Sequence, residues 1–336
     1  MGLIKNYDIS YLLKMYFNKN NNFFHGIVFH QFHDNGIYTK GQGSISKDEF
    51  HKIINFIGQE NILDADIFFE KYKNNRLKNN ELCLTFDDAI KCQIDIALPV
   101  LEELKIKSFF FVYTSLFEGK PDNLEFFRYF RMNYFKSVDE FYDNFYKVLD
   151  KDLKFFFEKN SNKIKEYKIK FPIYSIEDIK FRLVRDVFLT KVQYEEVMFI
   201  MFKHKKFEYK DFSKKLFFQK SDLQTLENLG HLVGLHSHNH PTIFAKLSYD
   251  EQKNEYEKNL SSISSILDKP KNEIKYMSHP CGSYNEDTLE ILKELGIELG
   301  FKQIMTIEPE KGMKKINNSF LEIARQDHAD IFKRMN

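Results

Sequence analysis

Short apolar runs that stop abruptly at polar residues recur along this chain, with helically spaced segments between them. Gly26-Ile-Val-Phe-His30 predicts a first buried strand, and a Gly-rich loop (Gly36 to Gly43) follows it. Ser46 reads as the N-cap of a helix running to Ile57, because Glu49 three residues on completes a capping box. Leu82 to Phe86 predicts a second strand, closed by Asp87-Asp88. Ile94, Ala97, Leu98, Leu101 and Leu104 then recur at helical spacing before the buried strand Ser108 to Tyr113. The later half repeats the theme. A helix from Ser221 to Leu229 feeds the strand His231 to Leu235, and a helix from Tyr249 to Leu267 leads to the strand Ile274 to Ser278. A helix over Glu286 to Leu295 and short strands near Gly300 to Gln303 and Leu321 to Arg325 close the pattern. Strand, helix, strand in this order predicts a parallel sheet, and repeated βα units ending in polar residues predict an α/β barrel with its site at the carboxyl ends of the strands.

One block breaks the rhythm. Residues 118–218 are dense in aromatic and charged residues, with Phe126, Phe127, Phe130, Phe141, Tyr142 and Phe145 at near-helical spacing. The expected organisation is a barrel formed by 1–117 and 219–336 with a helical subdomain, 118–218, inserted into it. The aromatic stripe reads first as that subdomain's own core and second as a sugar-stacking surface. Placed over the barrel mouth the subdomain would serve as a lid or recognition surface, and it is also the natural place for oligomer contacts.

Composition narrows the classes. Hydrophobic residues make up 43% of 336, enough to bury a substantial core. Fifty Lys and Arg against 49 Asp and Glu leave a formal charge of +1, which gives no case for nucleic-acid or anionic-membrane binding. Cys83, Cys92 and Cys281 match no disulfide framework or zinc ribbon, so reduced thiols are expected. Lys5, Asp8, Lys14 and Lys19 interrupt the first 24 residues, and no run resembles a signal peptide or membrane span. The expectation is a cytoplasmic protein.

Three strand ends carry candidate chemistry. Asp87-Asp88 could cap the following helix, where carboxylates suit the N-terminal dipole. His236-Ser-His-Asn-His240 places two imidazoles at i, i+4, a spacing that lets both reach one metal. The third is the turn Ser278-His-Pro-Cys-Gly-Ser-Tyr284. One Asp with two His makes a borderline-hard donor set suited to Zn²⁺ with positions left open. Such an ion polarises a carbonyl, and a second carboxylate beside it can act as general base, which together suit amide or ester hydrolysis.

These strings resemble the motifs of the polysaccharide deacetylases (the NodB homology domain, carbohydrate esterase family 4). Leu84-Thr-Phe-Asp-Asp88 resembles the first motif, Gly234-Leu-His-Ser-His-Asn-His-Pro241 the second, His-(Ser/Thr)-x-x-His, and Ser278-His-Pro-Cys-Gly282 the third, Arg-x-Pro-x-Gly. The resemblance spans about 26–115 and 217–328 and leaves the insertion outside. It implies a distorted (β/α)7 barrel that removes acetyl groups from N-acetylated sugars with a divalent ion, Zn²⁺ foremost. It also implies Asp87 as catalytic base, Asp88, His236 and His240 as metal ligands, and the Cys281 N–H as an oxyanion donor. His30 lies where many relatives carry a histidine after their first strand.

The sequence departs from the family at three points. Ala89 stands where the family has Gly. Ser278 replaces the motif arginine that orients the base, and Arg325 from the last strand is the candidate replacement. No Leu-x-His-Asp string occurs, which makes His328 the first candidate for the general acid, ahead of His279 and His30. His238 is expected to point away from the metal. The expected substrate is an N-acylated saccharide, such as a nucleotide-linked sugar or glycan precursor. An O-acetyl esterase, a deformylase and a catalytically silent saccharide-binding protein are the alternatives.

Overall fold

The computed structural model describes residues 25–304, apart from 42, 79 and 171–173, together with 319–335. The reading of the first 24 residues lies outside the described residues. Seven strands form one closed parallel barrel: β1 (Gly26–Phe29), β2 (Cys83–Phe86), β3 (Phe109–Val112), β4 (Leu232–Leu235), β5 (Tyr276–Ser278), β6 (Leu299–Ile304) and β7 (Ile323–Asp327). They pair in chain order, and β7 returns to β1 with Gly26 opposite Arg325. The predicted α/β barrel is thus observed.

Local sequence starts the surrounding helices where expected. Helix α1 (Lys47–Ile57) carries the capping box: the Glu49 N–H donates to Ser46 Oγ at 3.2 Å, and the Ser46 N–H donates to Glu49 Oε2 at 2.8 Å. Helix α2 (Ala65–Lys73) has no counterpart in the sequence reading. The stretch before β3 is α3 (Leu98–Leu104), entered through a π-helical turn at Gln93–Ala97.

Alternation along the strands sorts the barrel into layers. Toward the amino ends, Cys83, Phe109, Leu299 and Ile323 cluster with Phe68 and Phe69 of α2, so that helix closes one end with apolar side chains. Two residues further along the same faces, Thr85, Phe111, Phe301 and Arg325 meet, with the guanidinium 5.8 and 5.6 Å from the two rings. Gly234 on β4 admits the Phe111 ring, which an added Cβ would approach to 2.8 Å. The next positions are Asp87, Ser278 and His236. Each strand therefore runs from an apolar base to a polar tip.

The chain separates into two compact units, one comprising residues through Pro121 and from Phe217 onward, the other Asp122–Leu216. The second unit contains α4 (Asn123–Asn133), α5 (Val138–Leu149), α6 (Lys154–Lys159), α7 (Ser161–Lys170), α8 (Ile176–Leu183) and α9 (Lys191–Lys205). Its aromatic stripe is core: Phe130 meets Phe202 at 4.6 Å and Phe145 meets Phe181 at 5.0 Å, with all four rings buried. The barrel unit resumes with α10 (Lys220–Asn228), α11 (Tyr249–Leu267), α12 (Glu286–Glu294) and α13 (His328–Met335).

Candidate metal and acyl-transfer site

The three loops singled out by sequence converge at the carboxyl ends of β2, β4 and β5. Asp88 Oδ1 lies 3.1 Å from His236 Nε2 and 3.3 Å from His240 Nε2. These loops also hold five of the ten non-glycine residues with positive φ among the described residues: Asp88, Ala89, Ser237, His240 and Cys281. Backbone of that kind is unfavourable for L-residues and persists where the surroundings impose it. Ala89 accepts it at φ 52, at the position where glycine would adopt it freely.

His236 is fixed from three directions. Its N–H donates to Asn259 Oδ1 at 3.0 Å, and its Nδ1 lies 2.9 Å from the Ser278 carbonyl, which can only accept. The Nδ1 therefore carries a proton, and Nε2 is left facing Asp88. His240 stands beside the Tyr113 ring at 5.4 Å. Burial alone would raise the Asp88 carboxyl; the facing imidazoles of His240, His236 and His30 outweigh it and hold Asp88 well below the usual carboxylate range.

Asp87 faces a different set of partners. Arg325 grips it with both terminal nitrogens, Nη1 to Oδ1 at 2.8 Å and Nη2 to Oδ2 at 2.7 Å. Ser278, at the motif-arginine position, accepts from Arg325 Nη2 at 2.7 Å and donates to Asp87 Oδ2 at 2.9 Å. Thr85 Oγ1 accepts from Nη1 at 3.0 Å. Burial pushes the Asp87 carboxyl up, but the guanidinium and then His236 pull it down, and the net direction is down. The cation that β5 lacks thus comes from β7.

The other predicted residues separate. His328 is 2% exposed, with Nδ1 at 3.0 Å from the Val28 carbonyl and Nε2 at 2.8 Å from the Gly43 carbonyl. Both ring nitrogens are committed to main-chain acceptors, so the first-choice acid instead pins the loop after β1. His279 is also buried: Nε2 meets the Leu321 carbonyl at 2.8 Å, the ring stacks on Tyr284 at 4.1 Å, and burial lowers its pKa to about 4. His30 differs, with 26% of its side chain exposed and Nε2 3.9 Å from Asp88 Oδ2. His238 turns away from the metal ligands, Nδ1 meeting Thr114 Oγ1 at 3.0 Å. In the turn after β5, the Gly282 and Ser283 N–H groups donate to the His279 and Pro280 carbonyls, leaving the Cys281 N–H without a partner among the described residues.

Two residues absent from the sequence reading hold the histidine loop. Glu255 Oε2 accepts from the N–H groups of His238 at 3.0 Å and Asn239 at 2.7 Å. Asn259, one turn further along α11, donates to the Val112 carbonyl and Thr114 Oγ1. Their signal in the sequence is polarity on a face otherwise formed by Tyr256, Leu260 and Ile263.

The donor set fits a divalent ion. One atom each from Asp88, His236 and His240 lies within 4.8 Å of the others, a spread that one Zn²⁺ at about 2.0–2.2 Å from each can bridge. Three protein ligands leave room for water and substrate.

A family model described as polysaccharide deacetylase matches residues 136–300, which include the His236 and His279 loops and exclude Asp87-Asp88. Among solved structures, the deacetylase PplD of Streptococcus pyogenes in complex with acetate superposes with a TM-score of 0.52 at 15% identity, over 90% of this chain and 91% of that one. A de-N-acetylase from Aggregatibacter actinomycetemcomitans gives 0.50 at 12% identity, over 90% and 93%. At these identities the likeness is one of fold. No curated protein matches the chain in sequence.

Proposed function

Because the chain belongs to the polysaccharide deacetylase family, we propose that it is a metal-dependent hydrolase that removes the acetyl group from the nitrogen of an N-acetylated saccharide. The observation that carries this reading is the pairing of two adjacent carboxylates with opposite surroundings: Asp88 among imidazoles, Asp87 against a buried guanidinium. Asp88, His236 and His240 would hold the ion, which when bound supplies Lewis acidity to the amide carbonyl. Asp87 takes the proton of the attacking water as general base. Arg325 and Ser278 fix the plane of the Asp87 carboxylate and keep it ionised. The unpartnered Cys281 N–H donates to the oxyanion as it develops.

Protonation of the departing amine falls to His30, the one of the three candidate histidines that reaches solvent beside Asp88. His30→Gln should slow hydrolysis of an N-acetyl amide and spare an aryl acetate ester, whose leaving group needs no proton. Equal loss on both substrates would assign His30 to binding instead.

The deciding experiment measures metal content and acetate release on one purified sample, across a panel of N-acetylated saccharides. Asp87→Asn should lower kcat/KM by about 10²- to 10⁴-fold with metal retained. His236→Ala should lose the metal. A wild type that binds one equivalent of Zn²⁺ and releases no acetate from any substrate would overturn the reading.

A further inference from the structure

The helical unit carries an exposed face that its own core does not explain. Helix α6 carries three consecutive phenylalanines. Phe157 lies against Tyr146 at 6.5 Å, Phe156 meets Phe188 at 5.1 Å, and Phe155 is left 76% exposed. Phe188 is itself 38% exposed, Val187 beside it 47%, and Val192 in the first turn of α9 64%. The Phe156–Phe188 contact brings the segment bearing Val187, Phe188 and Val192 beside α6, and exposed apolar residues gathered in this way call for something to cover them.

Charge selects the cover. Lys154 adjoins Phe155 on α6, Lys159 lies one turn beyond it on the same side, and Lys191, 72% exposed, adjoins Val192. Residues 151–170 hold seven lysines against Asp152, Glu158 and Glu166, a local charge of +4 in a chain whose total is +1. A second copy docking on this face about a two-fold axis would set lysine against lysine. Single-stranded nucleic acid would stack on Phe155, but the aliphatic Val187 and Val192 offer no stacking face. Apolar side chains rimmed by lysine ammoniums match the interface of an anionic bilayer, with rings at acyl depth and charges at phosphate depth. Among the described residues no helix is long and apolar enough to cross a membrane, so such contact is peripheral.

We propose that the helical unit docks on anionic membrane surfaces through Phe155, Val187, Phe188 and Val192, with Lys154, Lys159 and Lys191 meeting the phosphates. The proposal stands independently of the reaction at the barrel. The test is co-sedimentation of the full chain with vesicles of phosphatidylcholine alone and of phosphatidylcholine with phosphatidylglycerol. Wild type should partition only to the anionic vesicles and release as salt rises. Phe155→Ser, at a position too exposed to unfold the protein, should weaken partitioning about tenfold, and Lys154→Ser with Lys159→Ser by a similar factor. Circular dichroism checks that each variant is folded. Absence of partitioning, or partitioning unchanged in Phe155→Ser, overturns the proposal. Concentration-dependent dimerisation that Phe155→Ser abolishes would also overturn it, assigning the patch to self-association.

Discussion

The most deeply buried carboxylate of each unit is set against arginine, and the two solutions differ. Asp178 in the helical unit and Asp87 in the barrel are both 2% exposed. Asp178 takes its partners from nearby helices: the Tyr142 hydroxyl donates at 2.9 Å, Arg182 Nε donates at 3.2 Å from the next turn, and Arg131 stands at 3.7 Å. Both arginine side chains keep part of their surface in solvent, 25% and 14%. Asp87, at the end of β2, draws on β5 and β7, with a guanidinium only 1% exposed and two parallel short bonds. A loose arrangement of local donors suffices to settle a buried charge. A rigid, bidentate one from distant strands does more, because it fixes the direction of the carboxylate. Direction matters only if something must be met, and that is the physical case for Asp87 as the reacting group and Asp178 as a structural one.

Breaking the two clamps should separate those roles most sharply. Arg325→Met leaves Asp87 buried and unpaired, at a cost of about 3–5 kcal/mol in stability. Turnover should fall about 10²-fold or more while metal content holds, since misplacement of a catalytic group near 1 Å has that effect. Arg182→Met, at a partly solvated pair, should cost about 1 kcal/mol and leave turnover intact. Denaturant melts and acetate assays on the two variants decide it. Equal kinetic effects would erase the distinction between the clamps.

Acid should divide the units next. His279 and His231, both in the barrel unit, are held near pKa 4 chiefly by burial, against the ordinary 6.5. Between those values the unfolded chain binds more protons than the folded one, so stability falls as pH drops from about 6.5 to 4. The loss is up to about 3 kcal/mol for each histidine, and above pH 6.5 it vanishes. The helical unit contains only His204. Hydrogen exchange at pH 7 and pH 4.5 should therefore show protection falling in the barrel strands while α5 and α9 hold. A uniform loss across both units would mean that they unfold as one.

Much of this was readable in the sequence because it is local. The Ser46–Glu49 box, the strand pattern and the three strand-end motifs each lie within a few residues, and the barrel strands appear within one or two residues of their expected ends. The rest depends on closure of the barrel. The sequence offers Arg325 as the replacement cation, but it is the Gly26–Arg325 register that carries its guanidinium across to Asp87. Likewise, His328 could not be distinguished from a catalytic acid before Val28 and Gly43 were seen to occupy both its nitrogens. Helix α2 was missed because its apolar residues Ala65, Phe68 and Phe69 plug the barrel from a short, highly charged segment.

That register yields the finest test of the comparison. Gly26 has no side chain where Arg325 passes: an added Cβ would lie 2.9 Å from Arg325 Cγ and 3.5 Å from the Phe301 ring. The Arg325 stem has little freedom to yield, since its guanidinium is tied to Asp87, Ser278 and Thr85. Gly26→Ala should therefore push the guanidinium along its own axis, at a cost of about 1–3 kcal/mol. Because no metal ligand touches Gly26, bound metal and KM should stay near wild type and kcat alone should drop. If kcat is unchanged, the stem slides aside without disturbing Asp87, and the orientation of the base does not depend on how β7 meets β1.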